Sequence, residues 1–477
     1  MSIAEVIRTL KGILGKENVI TAQEDLLCYS FDATAGLPEH LPDLLVTPSS
    51  TEQVAEIVKV ARRYKLPVYP RGSGTNLSGG TVPVKGGIVL SLLKMNKILE
   101  IDRDNLTATV QPGVIIQTLN NAVAPHGLLY PPDPGSMATA TMGGSVAECS
   151  GGLRGLKYGV TRDYVMGLEV VLAGGEIVRF GGKTVKNVTA YDMVRLFTGS
   201  EGTLGIITEI IVRLIPAPEA RETMLATFED LASAGRSITG IIQSKVIPAT
   251  MEIMDRVTME TVESHARIGL PTEAEAILLV EVDGIPEVVR REAAAVREVV
   301  TQNGGTVKSA ASEQERDQLW AARRAALPAL ARKRPTTILE DATVPRSKIT
   351  EMLLAIQEIS KRYNLTIGTF GHAGDGNLHP TILTDSRDEE EMERVHRAVD
   401  EIFKTALALG GTLSGEHGIG MAKARYLPWE LGSQGVQVLQ KIKEALDPEG
   451  LLNPGKMVAF CPNTGLNDTG SRGEDRQ

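Results

Sequence analysis

Pro70-Arg-Gly-Ser-Gly-Thr-Asn-Leu-Ser-Gly-Gly80 follows an extended segment, Pro67-Val-Tyr-Pro70, and carries four glycines in eleven residues. A G-x-G-x-x-G dinucleotide fingerprint fails here because Leu77 stands where the third glycine belongs, and no βαβ unit with a suitably spaced acidic residue follows. A Rossmann turn is therefore excluded. A run of glycine, serine and threonine after a strand still cradles an anion with its backbone N–H groups. Three more clusters follow: Pro131-Pro-Asp-Pro-Gly-Ser-Met-Ala-Thr-Ala-Thr-Met-Gly-Gly-Ser145, Glu148-Cys-Ser-Gly-Gly-Leu-Arg-Gly155 and Gly199-Ser-Glu-Gly-Thr-Leu-Gly-Ile-Ile-Thr208. Four such clusters predict a long cofactor laid against backbone at many points; plain surface loops would not need them.

Around these loops, short apolar strands alternate with helices from about residue 16 to 215. Leu44–Val46 reads as a strand, and Ser50 with Gln53 opens a helix reaching about Lys65. Gly87–Ser91, Ile98–Asp102 and Leu106–Val110 read as antiparallel strands. Leu168–Ala173, Gly174-Gly175 and Glu176–Phe180 form the clearest hairpin. Ile215-Pro-Ala-Pro-Glu219 punctuates a boundary. Beyond it come strand candidates at 223–228, 277–283, 305–309, 336–343 and 366–371 with helical patterns between them, the rhythm of an α+β domain. A helix is expected near 434–446. The expected units are 1–218, 219–415, a C-terminal return at 416–461, and a polar, disordered tail at 462–477.

A second centre lies in the C-terminal half. Thr369-Phe-Gly-His-Ala-Gly-Asp-Gly-Asn-Leu-His-Pro380 and Ser414-Gly-Glu-His-Gly418 hold three of the seven histidines, each crowded by glycines. His372, His379 and Glu416 are nitrogen and oxygen ligands suited to Zn²⁺, Mn²⁺ or Fe²⁺. A lone buried histidine is usually a satisfied core residue; three with a carboxylate in two glycine-rich loops point to a reaction centre.

Composition sets the limits. The formal net charge of −9 argues against a nucleic-acid surface. The N-terminal residues read as an amphipathic helix without a signal-peptide h-region, and no apolar run approaches a membrane span, so a cytoplasmic location is expected. Cys28, Cys149 and Cys461 are far apart and form neither a disulfide framework nor an iron–sulfur ligand set. Any further redox centre has to come from a partner.

Taken in order, the Pro70–Gly80 and Gly199–Gly205 loops, Gly371-His-Ala-Gly-Asp-Gly-Asn-Leu-His379, Gly415-Glu-His-Gly418 and Leu452-Asn-Pro-Gly-Lys456 resemble the vanillyl-alcohol oxidase/p-cresol methylhydroxylase (PCMH) superfamily of FAD-linked oxidases. The match is to the branch of the glycolate oxidase FAD-linked subunit and the D-lactate and D-2-hydroxyglutarate dehydrogenases, and it spans about Val19 to Met457. The resemblance implies an α+β fold: a PCMH-type FAD-binding domain of two α+β subdomains and a ferredoxin-like capping substrate domain. It implies that Arg71, Gly72, Ser73, Gly74, Thr75, Asn76 and Leu77 wrap the pyrophosphate. Pro134, Gly135, Ser136, Thr141, Gly143 and Gly144 would line the flavin and its diphosphate. Ser150, Gly151, Tyr158, Gly159 and Val160 would follow the ribityl and adenine portions; Glu201, Gly205 and Ile206 would close the adenosine end; Asn453 would approach the isoalloxazine. The histidine of covalently flavinylated relatives is missing from Arg71–Gly80, so the FAD is expected to be non-covalent.

The resemblance further implies oxidation of a small 2-hydroxy acid by hydride transfer to flavin. A divalent metal on His372, His379 and Glu416 would bind substrate oxygens, with His417 as general base and Asn377 orienting the substrate. Arg323, in Trp320-Ala-Ala-Arg323 at the expected start of a helix, would hold the substrate carboxylate. Ala325, Ala326, Leu327 and Leu339 stand where a dicarboxylate enzyme would carry polar groups, favouring D-lactate or glycolate. The alternatives are a D-2-hydroxyglutarate-type enzyme, a non-oxidative FAD-dependent synthase, and a non-catalytic FAD-carrying subunit. Electrons are expected to leave for an electron-transferring flavoprotein or an iron–sulfur subunit.

Overall fold

The computed structural model describes residues 3–458; the expected tail at 462–477 and Cys461 lie outside the described residues. The first sheet runs in the order Val19–Ile20, Leu44–Val46, Ile88–Ser91, Val68–Arg71. Its last three strands are parallel, with Leu44 and Val68 both opposite Ile88. This corrects the antiparallel placement of Gly87–Ser91. The strand is buried throughout, and such a near-continuous apolar run belongs between covered faces, not at a half-exposed hairpin. Helix Thr51–Tyr64 crosses between Leu44–Val46 and Val68–Arg71, and the Ser50 side chain caps it by accepting from Gln53 N.

The second sheet is antiparallel: Ile98–Asp102, Thr107–Val110, Ile206–Arg213, Val165–Val171, Ile177–Gly181. Val171 opposite Ile177 fixes the register of the expected hairpin. Each of the two sheets has its own buried cluster, one around Val46, Ile57 and Leu90, the other around Val110, Phe197 and Ile210.

The third sheet is larger and wholly antiparallel. Its first four strands, ordered Thr306–Ser309, Ala220–Phe228, Ala276–Gly284, Thr250–Asp255, have the 4-1-3-2 order of a ferredoxin-like βαββαβ unit. Helices Leu231–Gln243 and Pro286–Gln302 cover one face of it. The sheet then continues through Thr366–His372, Asn377–Thr384 and Thr336–Leu339, with Ala342–Thr343 also on Asn377–Thr384. The single strand expected at 336–343 is thus broken at Glu340-Asp341.

Two elements of this sheet carry no clean sequence signal. Thr250–Asp255 is a short run interrupted by Glu252, and Asn377–Thr384, buried along its whole length, is obscured by its histidine and proline. The Thr369–Pro380 motif is therefore a hairpin with a tight turn, not a free loop. His372 pairs with Asn377 across the turn, and Gly376 at φ +93° packs against the Val344 carbonyl where no side chain fits. Another correction concerns Trp320 and Arg323. They lie in the last turn of helix Glu313–Arg324, because Ser312 caps that helix and Glu313 and Glu315 occupy its first turn. At the C-terminal end the chain returns to the first sheet through a parallel bridge of Leu452 with Val68.

Candidate active site

A cavity of about 540 Å³ runs between the two N-terminal sheets and the large sheet. One end is the glycine loop. No N–H from Gly72 to Leu77 donates to another group among the described residues, so six consecutive amides are free to bind an anion. Arg71 props the loop from inside, donating to the Phe31 carbonyl at 2.7 Å and to Thr81 Oγ1 at 3.0 Å. Gly72 lies so close to Thr141 Oγ1 that a Cβ would collide with it. Thr141 in turn caps helix Met142–Glu148 by accepting from Gly144 N. Pro134, Gly135, Ser136, Gly143, Ser150, Glu201, Gly205 and Ile206 complete this part of the wall. A free-amide nest followed by a long glycine-lined wall fits a nucleotide cofactor such as FAD.

Five of the expected cofactor residues stand elsewhere. Tyr158 donates its hydroxyl to Asp283 Oδ2 at 2.8 Å, alongside Lys157 Nζ at 2.5 Å from Asp283 Oδ1, so this helix end ties the N-terminal half to the large sheet. Gly159 packs on Asp163, whose Oδ2 accepts from Val160 N at 2.9 Å; the pair builds a turn and does not line the cavity. Asn453 is buried behind the wall, its Nδ2 clamping the carbonyls of Gly80 and Glu201 at 2.9 and 2.6 Å. Gly151 faces Glu416, where a Cβ would come within 2.8 Å of Oε2.

The other end of the cavity holds the histidines. His372 Nε2 and His379 Nε2 stand 3.0 and 3.3 Å from Glu416 Oε1, and ligand atoms of all three lie within 4.8 Å of one another. The His417 ring stacks on His379 with centroids 4.9 Å apart. Two buried carboxylates that the motifs did not disclose orient these rings. Glu252 contacts His372 Nδ1 at 2.7 Å with one oxygen and Arg323 Nη2 and Nε at 2.5 and 2.8 Å with the other. Asp341 Oδ1 sits 3.2 Å from His379 Nδ1 and 2.9 Å from His417 Nδ1. Its Oδ2 accepts from Ser414 Oγ and the amides of Gly415, Glu416 and His417, which folds the 414–417 loop around it. Glu416 and His417 can therefore serve one site although they are adjacent.

The charges follow from this packing. Burial alone would lower His372, but Glu252 and Glu416 hold its pKa well above the usual histidine range. His379 is raised too, against burial, by Asp341 and Glu416. Burial would raise Asp341, yet the two neighbouring imidazoles and Lys423 keep it well below the carboxylate norm. Glu416 is likewise low, through His372 and His379, despite its burial. Asp133 and Asp375 nearby are pushed up to about 6 by burial.

Arg323 lines the cavity beside Arg324, Leu327, Pro328, Leu339 and Phe370. Asn377 does not: its Oδ1 accepts from Thr343 Oγ1 at 2.8 Å, and its amide packs against Gly415. It shares the face of His372 and His379, but its contacts with Thr343 and Gly415 hold it against the 415–417 loop.

A cleft lined by glycine loops and ending in histidines and carboxylates fits a flavin-binding oxidoreductase. Residues 42–181 match the FAD binding domain, and residues 217–457 match the C-terminal domain of FAD linked oxidases. The glycolate oxidase subunit GlcD of Bacillus subtilis is 52% identical over 460 residues, covering 96% of this chain and 98% of that protein. The D-lactate dehydrogenase of Anaerostipes hadrus is 37% identical, covering 95% and 97%. Among solved structures, p-cresol methylhydroxylase with substrate bound shares the fold at a TM-score of 0.77, with 19% identity and 96% of each chain covered. Alkyldihydroxyacetonephosphate synthase shares it at a TM-score of 0.74, with 23% identity, 95% of this chain and 85% of that one. This chain belongs to the FAD-linked oxidase family.

Proposed function

We propose that the protein is a flavin-dependent dehydrogenase that oxidises a small 2-hydroxy acid, glycolate or D-lactate, to the 2-oxo acid. The observation that carries the reading is the junction of two chemistries in one cavity: a free-amide nest at one end and the His372/His379/Glu416/His417 group with Arg323 at the other. Bound FAD would supply the hydride acceptor.

Arg323 holds the substrate carboxylate through Nη1, the edge that Glu252 leaves free. His417 takes the α-hydroxyl proton at Nε2, since its Nδ1 faces Asp341. The cluster of His372, His379 and Glu416 has the donor set for a divalent Zn, Mn or Fe ion, which would acidify that hydroxyl as a Lewis acid. Leu327, Pro328, Leu339 and Phe370 leave an apolar space for a short side chain. The names of the similar glycolate oxidase subunit and D-lactate dehydrogenase support this substrate class.

A second reading, a dicarboxylate such as 2-hydroxyglutarate, is favoured by one observation: Arg324 is exposed on the cavity wall and could meet a second carboxylate. Anaerobic mixing with single 2-hydroxy acids, following flavin absorbance, tests both. Bleaching by glycolate or D-lactate at the lowest concentrations supports the first, and by 2-hydroxyglutarate the second. No bleaching by any of them overturns both and favours a non-oxidative synthase.

The three separated cysteines offer no iron–sulfur ligand set. We therefore assign reoxidation to a separate electron-transferring flavoprotein or iron–sulfur subunit in the cytoplasm. No helix among the described residues is long and apolar enough to cross a membrane.

A further inference from the structure

The basic run that begins at Arg323 is only partly used by the chemistry above. Arg323 is buried against Glu252, whereas Arg324, Arg332 and Lys333 are all exposed. None of these three meets a carboxylate among the described residues. The polar contact of Arg332 is with the His265 ring, at 3.5 Å, and within the run it is Arg334 that takes an ion pair, with Glu391 Oε2 at 2.7 Å. Acidic side chains outnumber basic ones by 59 to 50 in this chain, so a shortage of acids does not account for three unpaired cations in ten residues.

Their place in the fold gives them a use. Helix Ala326–Ala331 buries Ala326, Ala329 and Leu330, and its Leu327 and Pro328 line the cavity. Arg332 keeps a helical backbone at the end of that helix and follows Pro328 by four residues, so the two side chains start on one face about 6 Å apart. Past the exposed turn at 332–335 the chain enters strand Thr336–Leu339, whose Leu339 lines the cavity as well. The turn therefore joins two walls of the cavity at its solvent side. Arg324 stands on the wall itself, one residue from Arg323. The cations are graded inward: Arg332 and Lys333 in solvent, Arg324 exposed on the wall, Arg323 buried at the site.

We propose that Arg332 and Lys333 are an entry site for the anionic substrate, collecting its carboxylate at the rim and passing it inward to Arg324 and Arg323. This rests on the reading of the cavity as a 2-hydroxy acid site. A chain with a formal net charge of −9 repels a small anion at long range, and fixed cations at a mouth reverse that locally. The occupant is a small anion because the row of cations continues along the cavity wall to a buried guanidinium, where a protein surface has no room to follow. Two unit charges about 10 Å from the mouth, in water, raise the local concentration of a monoanion about fourfold. Salt removes the effect, since the screening length falls to about 3 Å at 1 M.

The test compares the full-length, FAD-loaded protein with two double variants, Arg332→Gln/Lys333→Gln and Arg332→Glu/Lys333→Glu. Anaerobic stopped-flow with glycolate and with D-lactate gives the second-order rate constant of flavin reduction and its limiting rate at saturation. Both are followed from about 10 mM to about 1 M salt, where the screening length runs from about 30 to about 3 Å. At low salt the second-order constant should fall about fourfold on neutralisation and about sixteenfold on charge reversal, which doubles the change in charge. The three proteins should converge at high salt, with one limiting rate throughout. Equal effects of the Gln and Glu pairs, a deficit that persists at high salt, or a lowered limiting rate would overturn the proposal, because each is the mark of a structural role. Unchanged flavin reduction in both variants would also overturn it and leave the patch to an acidic protein surface. If neither acid reduces the flavin of the unaltered protein, the reading of the cavity fails and the proposal falls with it.

Discussion

Replacing Glu252 by alanine should damage the protein twice, and the structure sets the scale. The Glu252 side chain is fully buried, with Arg323 and His372 at 6% and 9% exposure. One carboxylate serves both cations, at 2.5 Å to Arg323 Nη2 and 2.7 Å to His372 Nδ1. Removing one partner of a buried pair leaves the other desolvated and uncompensated, which costs about 3–5 kcal/mol. Glu252→Gln keeps an acceptor and the volume, so its loss should be nearer the ~1.5–3 kcal/mol of a single charged hydrogen bond. Arg323→Ala, which sequence alone would treat as a substrate-binding change, should destabilise too, because it strands Glu252. Both tryptophans, Trp320 and Trp429, lie in the C-terminal half, so urea unfolding followed by tryptophan fluorescence reports on the relevant region. A double-mutant cycle should show that Glu252→Ala and Arg323→Ala together cost less than their sum. The KM for the 2-hydroxy acid should rise in Glu252→Ala, since the guanidinium loses its orientation. If Glu252→Ala unfolds at the wild-type urea concentration with unchanged KM, the shared-carboxylate reasoning is wrong.

Further outcomes are expected elsewhere in the cavity. Gly72→Val should abolish FAD binding, seen as colourless protein with a lowered melting temperature, because a side chain there collides with Thr141 Oγ1 and disturbs the nest. His417→Ala should retain metal and FAD yet slow single-turnover flavin reduction by roughly 10²–10⁴, whereas Glu416→Ala should lose metal; metal analysis alongside stopped-flow separates the two. In metal-free protein Asp341 is held low, so its stabilising contribution is present above the unfolded carboxylate pKa of about 4 and is lost as pH falls through the folded value. Asp341→Asn should remove part of that acid-side slope in unfolding measured at successive pH values. Metal uptake at pH 7 should release protons, because His372 and His379 are raised and must be neutral to ligate; calorimetry in buffers of different ionisation enthalpy measures the number, and zero would refute the ligand assignment.

Much of this arrangement was legible in the chain, and what escaped did so for physical reasons. The glycine clusters were readable because close backbone approach leaves glycine as the only residue that fits, as at Gly72 and Gly143. The histidines were readable from the glycine-rich motifs that carry them. Glu252 and Asp341 were not, because a carboxylate within a strand or beside one reads as surface until its partners are known. Thr250–Asp255 pairs with both Ala276–Gly284 and Thr366–His372, and only that pairing brings Glu252 opposite His372. Asn377, Tyr158 and Asn453 are a different matter: in each, the side chain bonds to the protein itself. A motif locates a segment; packing decides which of its residues face a ligand.

The charge arrangement bears on whether the His372/His379/Glu416 cluster would take a cation. Glu252 and Asp341 are buried and Glu416 nearly so, and the buried cations within reach include Arg323 and Lys423, the latter 3.4 Å from Asp341 Oδ2. Three carboxylates against two permanent cations leave a negative balance in a place from which water is largely excluded, and such a balance is costly. The metal-free protein meets it by protonating imidazoles, as the raised His372 and His379 show. A divalent ion among His372, His379 and Glu416 would meet the same demand while freeing those rings to ligate. The two carboxylates that are not ligands, Glu252 and Asp341, then do the orienting: each engages the Nδ1 side of its histidines, leaving His372 Nε2 and His379 Nε2 toward Glu416. Arg323, His372, His379 and His417 are thereby oriented by two acids, contributed by one strand of the ferredoxin-like unit and by the break at Glu340-Asp341.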